Sequence, residues 1–286
     1  MNRLINITGA SLLSIFLLAC EDIYEGGREI QLDLPVQLKA SVAAFDRDNP
    51  ESLPVSQSLG VFMTPSDSES QLTASACMEM VPDTDGNLSL KGSDQTLLYP
   101  KNVQKVNFIC YAPFNASMPA DCTLPVDVTT PSKARESDYI YTITRNKYPA
   151  LAPVKLQLGH VLSSIQFVAV AGEGFTDSDL QSMTISIEDV SASGTFRLDD
   201  GSITTDAIPG NMTLTTSADG HLVSGLIIPQ QAGIVLKCNI GGMEFHKKLG
   251  NMTFDGGHQY TYDITVSPPG IEVHLREIND WIVEEY

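Results

Sequence analysis

From residue 34 to residue 266 the sequence is cut into short β-prone runs by Gly, Pro, Asp and Asn. No stretch carries the apolar spacing of a long amphipathic helix. This punctuation limits the fold most narrowly, because strand-length segments rich in Val, Ile, Thr, Phe and Tyr suit sheets packed face to face. In residues 34–45, Val36, Leu38, Ala40 and Val42 recur at every second position, which predicts a strand with one buried face. Residues 60–63 predict a fully buried strand, and 78–90 a hairpin turning at Asp83-Thr84-Asp85-Gly86-Asn87. Residues 106–111 predict another strand, stopped by Pro113. Between Pro113 and Pro153, prolines at 119, 125, 131 and 149 and the polar run 129–138 predict surface loops and a domain junction near 150–153. Alternation restarts at 154–158. Further strands are predicted over 165–171, 183–190, 222–228, 234–240, 243–249 and 259–266, with hairpin turns at Asp199-Asp200-Gly201 and Gly241-Gly242. The predicted fold is all-β, two tandem β-sandwiches over 34–153 and 154–270, followed by a strand-like segment 271–286.

Residues 1–19 read as an export signal rather than as part of the fold. Arg3 precedes a stretch without charge, and 12–18 is almost wholly apolar. That run is shorter than the roughly 20 apolar residues a spanning helix needs, and it has the layout of a secretory signal. Leu17-Leu18-Ala19-Cys20 resembles the lipobox cut by lipoprotein signal peptidase. The resemblance implies a lipid anchor on Cys20 and a polar, lipid-attached leader over 20–33. Glu21 and Asp22 resemble the surface-export signal of Bacteroides-type lipoproteins, which implies the outer face of the outer membrane.

The formal charge of −18, or −19 once Arg3 is removed, argues against a nucleic-acid partner and against a polybasic membrane patch. Cys77, Cys110, Cys122 and Cys238 lack the paired spacing of a zinc site. Export permits disulfides, three full pairings are open, and a single Cys77–Cys110 bridge is the preferred expectation.

The search for chemistry returns no catalytic, metal or cofactor site. The five histidines are isolated from one another, and neither a G-x-S-x-G elbow nor a phosphate loop is present. His160 near Ser163 and Ser164 raises a Ser–His pair. With no acidic partner to nominate, a polar tie at a turn or domain junction is the better reading. Asp83-Thr84-Asp85-Gly86 begins like a calcium loop but lacks its other ligands.

Several segments together are similar to the Bacteroides-type fimbrillins, the type V pilins. They are Gly60-Val61-Phe62, residues 108–114, residues 154–168 with His160 before Leu162-Ser163, and the ending Phe254, Gly257, 259–266, 271–273 and 278–281. The resemblance implies transthyretin-like sandwiches and a surface lipoprotein cut by an arginine-specific protease. The first strand then leaves, and a strand of another fimbrial subunit fills its groove. Mapped here, 34–45 is the leaving strand and Arg47 the cleavage candidate, with Arg28 weaker. The candidate donor is 271–286 with Ile271, Val273, Leu275, Trp281 and Val283, set off by a Pro268-Pro269-Gly270 hinge. The implied function is a structural, adhesive subunit of a fimbrium held to the outer membrane through lipid. The alternatives are a monomeric surface lipoprotein that binds glycan or another host ligand, and an anchor or tip subunit.

Overall fold

The computed structural model describes residues 33–42, 57–66, 72–101 and 104–281. Its first part contains β1 (Leu38–Val42), β2 (Leu59–Pro65), β3 (Met78–Pro82), β4 (Leu88–Leu90) and β5 (Val106–Ala112). These are followed by β6 (Thr123–Asp127), α1 (Pro131–Glu136), β7 (Ile140–Lys147) and β8 (Val154–His160). A seven-stranded sheet runs in the order β1-β8-β7-β5-β2-β3-β4. β7 and β8 share two register pairs, Ile140↔His160 and Tyr141↔Gly159, so the sheet turns a corner there. Its two outer strands meet again at a Lys39↔Asn87 bridge. The enclosed core holds Leu38, Val61, Phe108, Leu156 and Leu158, all buried.

Two expectations are corrected here. β8, expected to open the second sandwich, instead completes the first, lying parallel to β1 from Leu38↔Val154 to Val42↔Leu158. Its alternation of Val154, Leu156 and Leu158 fills the open place beside β1, so no sandwich boundary falls at 153. The region 113–153 is not loop alone, since it supplies β6, α1 and the central strand β7. Pro125 is tolerated because β6 is the edge of its sheet, where a missing ladder donor costs little. Pro131 occupies the first turn of α1, and Lys133 N–H donates to the N-cap Thr130 hydroxyl.

The second part contains β9 (Ser163–Ala171), α2 (Asp177–Leu180), β10 (Thr184–Val190), β11 (Ser193–Arg197), β12 (Ile203–Thr205) and β13 (Gly210–Thr213). It continues with β14 (Thr215–Thr216), β15 (Leu222–Ile227), β16 (Gln230–Ile240), β17 (Met243–Phe254), β18 (His258–Ser267) and β19 (Gly270–Asp280). The four-stranded sheet β13-β10-β16-β17 packs on the five-stranded sheet β14-β15-β9-β18-β19. Ile185, Ile187 and Leu236 meet Phe167, Tyr260 and Tyr262 in the core between them. The predicted hairpins at Asp199-Asp200-Gly201 and Gly241-Gly242 are present, joining β11 to β12 and β16 to β17.

A third apolar layer was not visible in the sequence. β11 and β12 join β6 in a three-stranded sheet. Its Leu124, Val126 and Phe196 pack on Phe62, Ile109 and Tyr111, whose side chains leave the first sheet on the face away from its own core. Leu162 and Ile228 from the second part enter the same layer. The two sandwiches are therefore joined by shared burial rather than by a linker, and Asp33–Tyr286 forms one compact unit.

The expected Cys77–Cys110 bridge is also corrected, because all four described cysteines are free thiols. Neighbouring strand residues point to opposite faces. Cys110 faces the first core, whereas Cys77 packs in the third layer with its sulfur 3.8 Å from the Tyr111 hydroxyl. The sheet lies between them.

Burial pushes the thiols of Cys110 and Cys122 up, that of Cys238 up to about 11, and the Tyr262 phenol up to about 12. Unfolded Cys and Tyr titrate near about 8.5 and 10. Between those values and the folded ones the native state binds more protons, so stability falls as pH rises. The melting temperature is expected to hold to about pH 8 and to decline progressively above about pH 9. A thermal-unfolding series flat to about pH 11 would contradict this burial.

Candidate functional site

The groove filled by β1 is the candidate site. Leu38, Ala40 and Val42 are 2%, 1% and 3% exposed and plug the first core, while Lys39 points outward. On one edge β1 has its parallel ladder with β8. On the other, contact is sparse. Ala40 N–H donates to Gly86 O at 2.8 Å, and upstream Val36 N–H donates to Leu97 O at 2.8 Å. Leu34 O accepts from Tyr99 N–H at 2.9 Å. Alongside Val36 a groove of about 640 Å³ remains open, walled by Met80, Leu88, Leu90 and Leu97.

The turn that touches Ala40 is the predicted β3–β4 hairpin. Asp83 Oδ1 accepts from the backbone N–H of Asp85 at 2.8 Å and of Asn87 at 2.9 Å. Its Oδ2 accepts from Asn87 Nδ2 at 3.0 Å. These bonds, the Asn87 side chain foremost, hold the Asp83 carboxyl below its ordinary range. The carboxylate is thus occupied in closing the turn. Among the described residues no His, Cys, Asp and Glu cluster suits a metal.

The candidate donor lies elsewhere. β19 pairs with β18 from Ser267↔Gly270 to His258↔Asp280, with one register shift between Thr261 and Tyr262. The expected Pro268-Pro269-Gly270 hinge is therefore the turn of a hairpin, because the ladder begins immediately on either side of the two prolines. The predicted boundary at 270/271 dissolves with it. Ile271 is buried and Val273 partly so, whereas Leu275 is 49% exposed although it lies on the core-facing side. Trp281 stacks on His160 with ring centroids 3.6 Å apart, and its backbone N–H donates to Gly257 O at 2.7 Å. Cys20, Arg28, Arg47 and Val283 lie outside the described residues.

His160 has the acidic partner the sequence did not reveal. Its Nδ1 is 2.7 Å from Asp138 Oδ1, and Asp138 follows α1 in the polar run expected to be loop. Ser163 Oγ donates instead to Asp255 O at 2.8 Å, and among the described residues His160 has its side-chain hydrogen bond with Asp138 rather than with Ser163 or Ser164. Asp138, His160 and Trp281 tie the first sandwich to the end of β19.

The sequence matches the fimbrillin-like profile over residues 51–281. The chain belongs to the fimbrillin-like family. It is 25% identical over 198 residues to the "Putative fimbrium subunit Fim1C" of Bacteroides uniformis, the alignment covering 65% of each chain, just under two thirds of that relative. A solved "putative cell adhesion protein" from Bacteroides uniformis superposes with a TM-score of 0.70 at 22% identity, covering 87% of this chain and 99% of that one. Another from Bacteroides ovatus gives 0.68 at 17%, covering 89% and 100%. At these identities the superpositions establish the shared fold of this fimbrillin-like chain. The all-β reading and the family resemblance in the sequence are both upheld.

Proposed function

We propose that this fimbrillin-like chain is a surface lipoprotein, anchored to the outer membrane through Cys20, that enters a fimbrium by donor-strand exchange and serves adhesion. An arginine-specific protease cuts after Arg47, β1 leaves, and a strand of another fimbrial subunit takes its place. The observation that carries this reading is the seating of β1. Three side chains plug a core, yet one five-pair ladder and a few further backbone bonds hold the strand. An incoming strand would recover the same hydrogen bonds, with alternate side chains setting its register.

A second reading follows from β19. To donate Ile271, Val273, Leu275, Trp281 and Val283, the chain would have to open the whole β18–β19 ladder. That favours a tip subunit, which receives a strand without giving one, whereas a chain that stays uncut and lipidated would be an anchor. Glycan binding has less support, because the one tryptophan is packed against His160 rather than presented on a loop.

The test is low-dose trypsin on the non-lipidated mature chain, with N-terminal sequencing, gel filtration and electron microscopy. A new N-terminus at Asp48 followed by concentration-dependent oligomers is the expected result. If 271–286 is the donor, deleting it stops growth; if the chain only receives, deletion leaves strand acceptance intact. A chain that resists cutting, or is cut and never accepts a strand, would contradict the exchange mechanism.

A further inference from the structure

We propose that the end of the first sandwich where the polypeptide arrives from Cys20 is a docking face for a phosphate-bearing lipid surface, the membrane that holds this chain's own anchor. The inference rests on the Cys20 anchor reading.

Chain geometry gathers the face. Because β1 and β8 run parallel, the loop before β8 lies at the start of β1, where Val154 N–H donates to Gln37 O at 2.8 Å. That loop carries Tyr148 and Leu151, large apolar groups that are 64% and 65% exposed. Leu98, 41% exposed, bridges to Pro35 at the same end. Cations surround them. Lys105 Nζ sits 4.8 Å over the Tyr148 ring, Lys147 pairs with Val106, and Lys101 Nζ is 3.0 Å from Asp33 Oδ1. Among the described residues neither Lys105 nor Lys147 has a carboxylate partner within ion-pair distance.

This grouping stands out in a chain of net charge −18. The overall charge argued against a basic membrane patch, yet beyond a Debye length of about 8 Å the distant acidic surface is screened and the local face governs contact. An aromatic and two leucines rimmed by lysines match a lipid interface, where apolar groups enter the headgroup boundary and ammonium groups meet phosphate. Connectivity points the same way. Residues 20–32 can span at most about 45 Å, so an anchor on Cys20 keeps this end close to the bilayer.

The experiment is flotation of the mature chain carrying Cys20→Ser, with vesicles of phosphatidylcholine plus phosphatidylglycerol or of phosphatidylcholine alone. Preferential, salt-sensitive flotation with the anionic vesicles is expected. K101Q/K105Q/K147Q should lower partitioning by about 100-fold, and Y148S/L151S should lower it too, with melting temperatures little changed, since Lys101, Lys147, Tyr148 and Leu151 are exposed and the half-buried Lys105 has no ion-pair partner among the described residues. Failure of the parent chain to float, or equal partitioning of the lysine variant, would overturn the proposal. So would patch variants that change only self-association, which would make the face a contact between copies. The mass of Cys20 in the processed full-length protein is read separately. A lipidated Cys20 with failed flotation sinks the docking face alone, and flotation with an unmodified Cys20 sinks the anchor reading alone.

Discussion

Gly86→Val is expected to unseat β1. A Cβ at position 86 would lie 2.4 Å from the Ala40 carbonyl oxygen, and the backbone there has φ +81°, which a β-branched residue rarely adopts. Relief requires either rebuilding the Asp83–Asn87 turn or moving β1 away from it, and both break the Ala40 N–H to Gly86 O bond. The cost is roughly 2–5 kcal/mol from backbone strain and overpacking together. Hydrogen exchange should show lost protection concentrated in Leu38–Val42, with the second sandwich protected as before. Gly92→Ala is the control, for it too has a positive φ, +67°, but nothing lies within 4 Å of its added Cβ. It is expected to cost only about 1 kcal/mol and to leave β1 in place. Equal effects of the two substitutions would mean that the turn does not hold the strand.

Phe196→Ala is expected to destabilise the whole fold by about 3–5 kcal/mol. Phe196 is fully buried in the third layer, with Tyr139 stacked at 5.9 Å and Tyr141 edge-on at 5.3 Å. The ring sits on β11, outside both sandwich cores, yet it helps to hold the outer face of the first sheet against the residues that lead into the second. The parent protein is therefore expected to melt in one transition, and the variant in one transition at lower temperature. Calorimetry showing a second sandwich that melts at an unchanged temperature would contradict the shared layer.

Strands whose pattern is local were legible. Val36, Leu38, Ala40 and Val42 announce a one-faced strand, and Asp83 through Asn87 announce a tight turn, because both depend on neighbours within a few residues. Partners distant in the chain were not legible. Val154 alternates in the same way whichever sandwich receives it, and only three-dimensional proximity to Leu38 decides. The run Ile140-Tyr141-Thr142-Ile143 is β-prone, but the prolines around it made the whole stretch read as loop. Pro125 misled for the same reason, since the edge position that excuses it is a property of the sheet. Asp138 was missed because its meeting with His160 depends on the β7–β8 corner. For the candidate site, the strand was found from alternation and its weak outer edge only from the fold. The hinge at Pro268-Pro269 failed because two prolines suit a hairpin turn as well as a linker, and the pairing of β18 with β19 decides between them.

The most direct measurement follows the fate of β1 itself. The mature chain is labelled with a fluorophore between Arg28 and Leu34, cut with trypsin, and concentrated, and each size fraction is examined for the labelled peptide by fluorescence and native mass spectrometry. If β1 is a replaceable plug, monomers retain the labelled peptide, oligomers lack it, and one peptide is released for each groove that is refilled. Oligomers that keep the labelled strand in every subunit would contradict strand replacement as the basis of assembly.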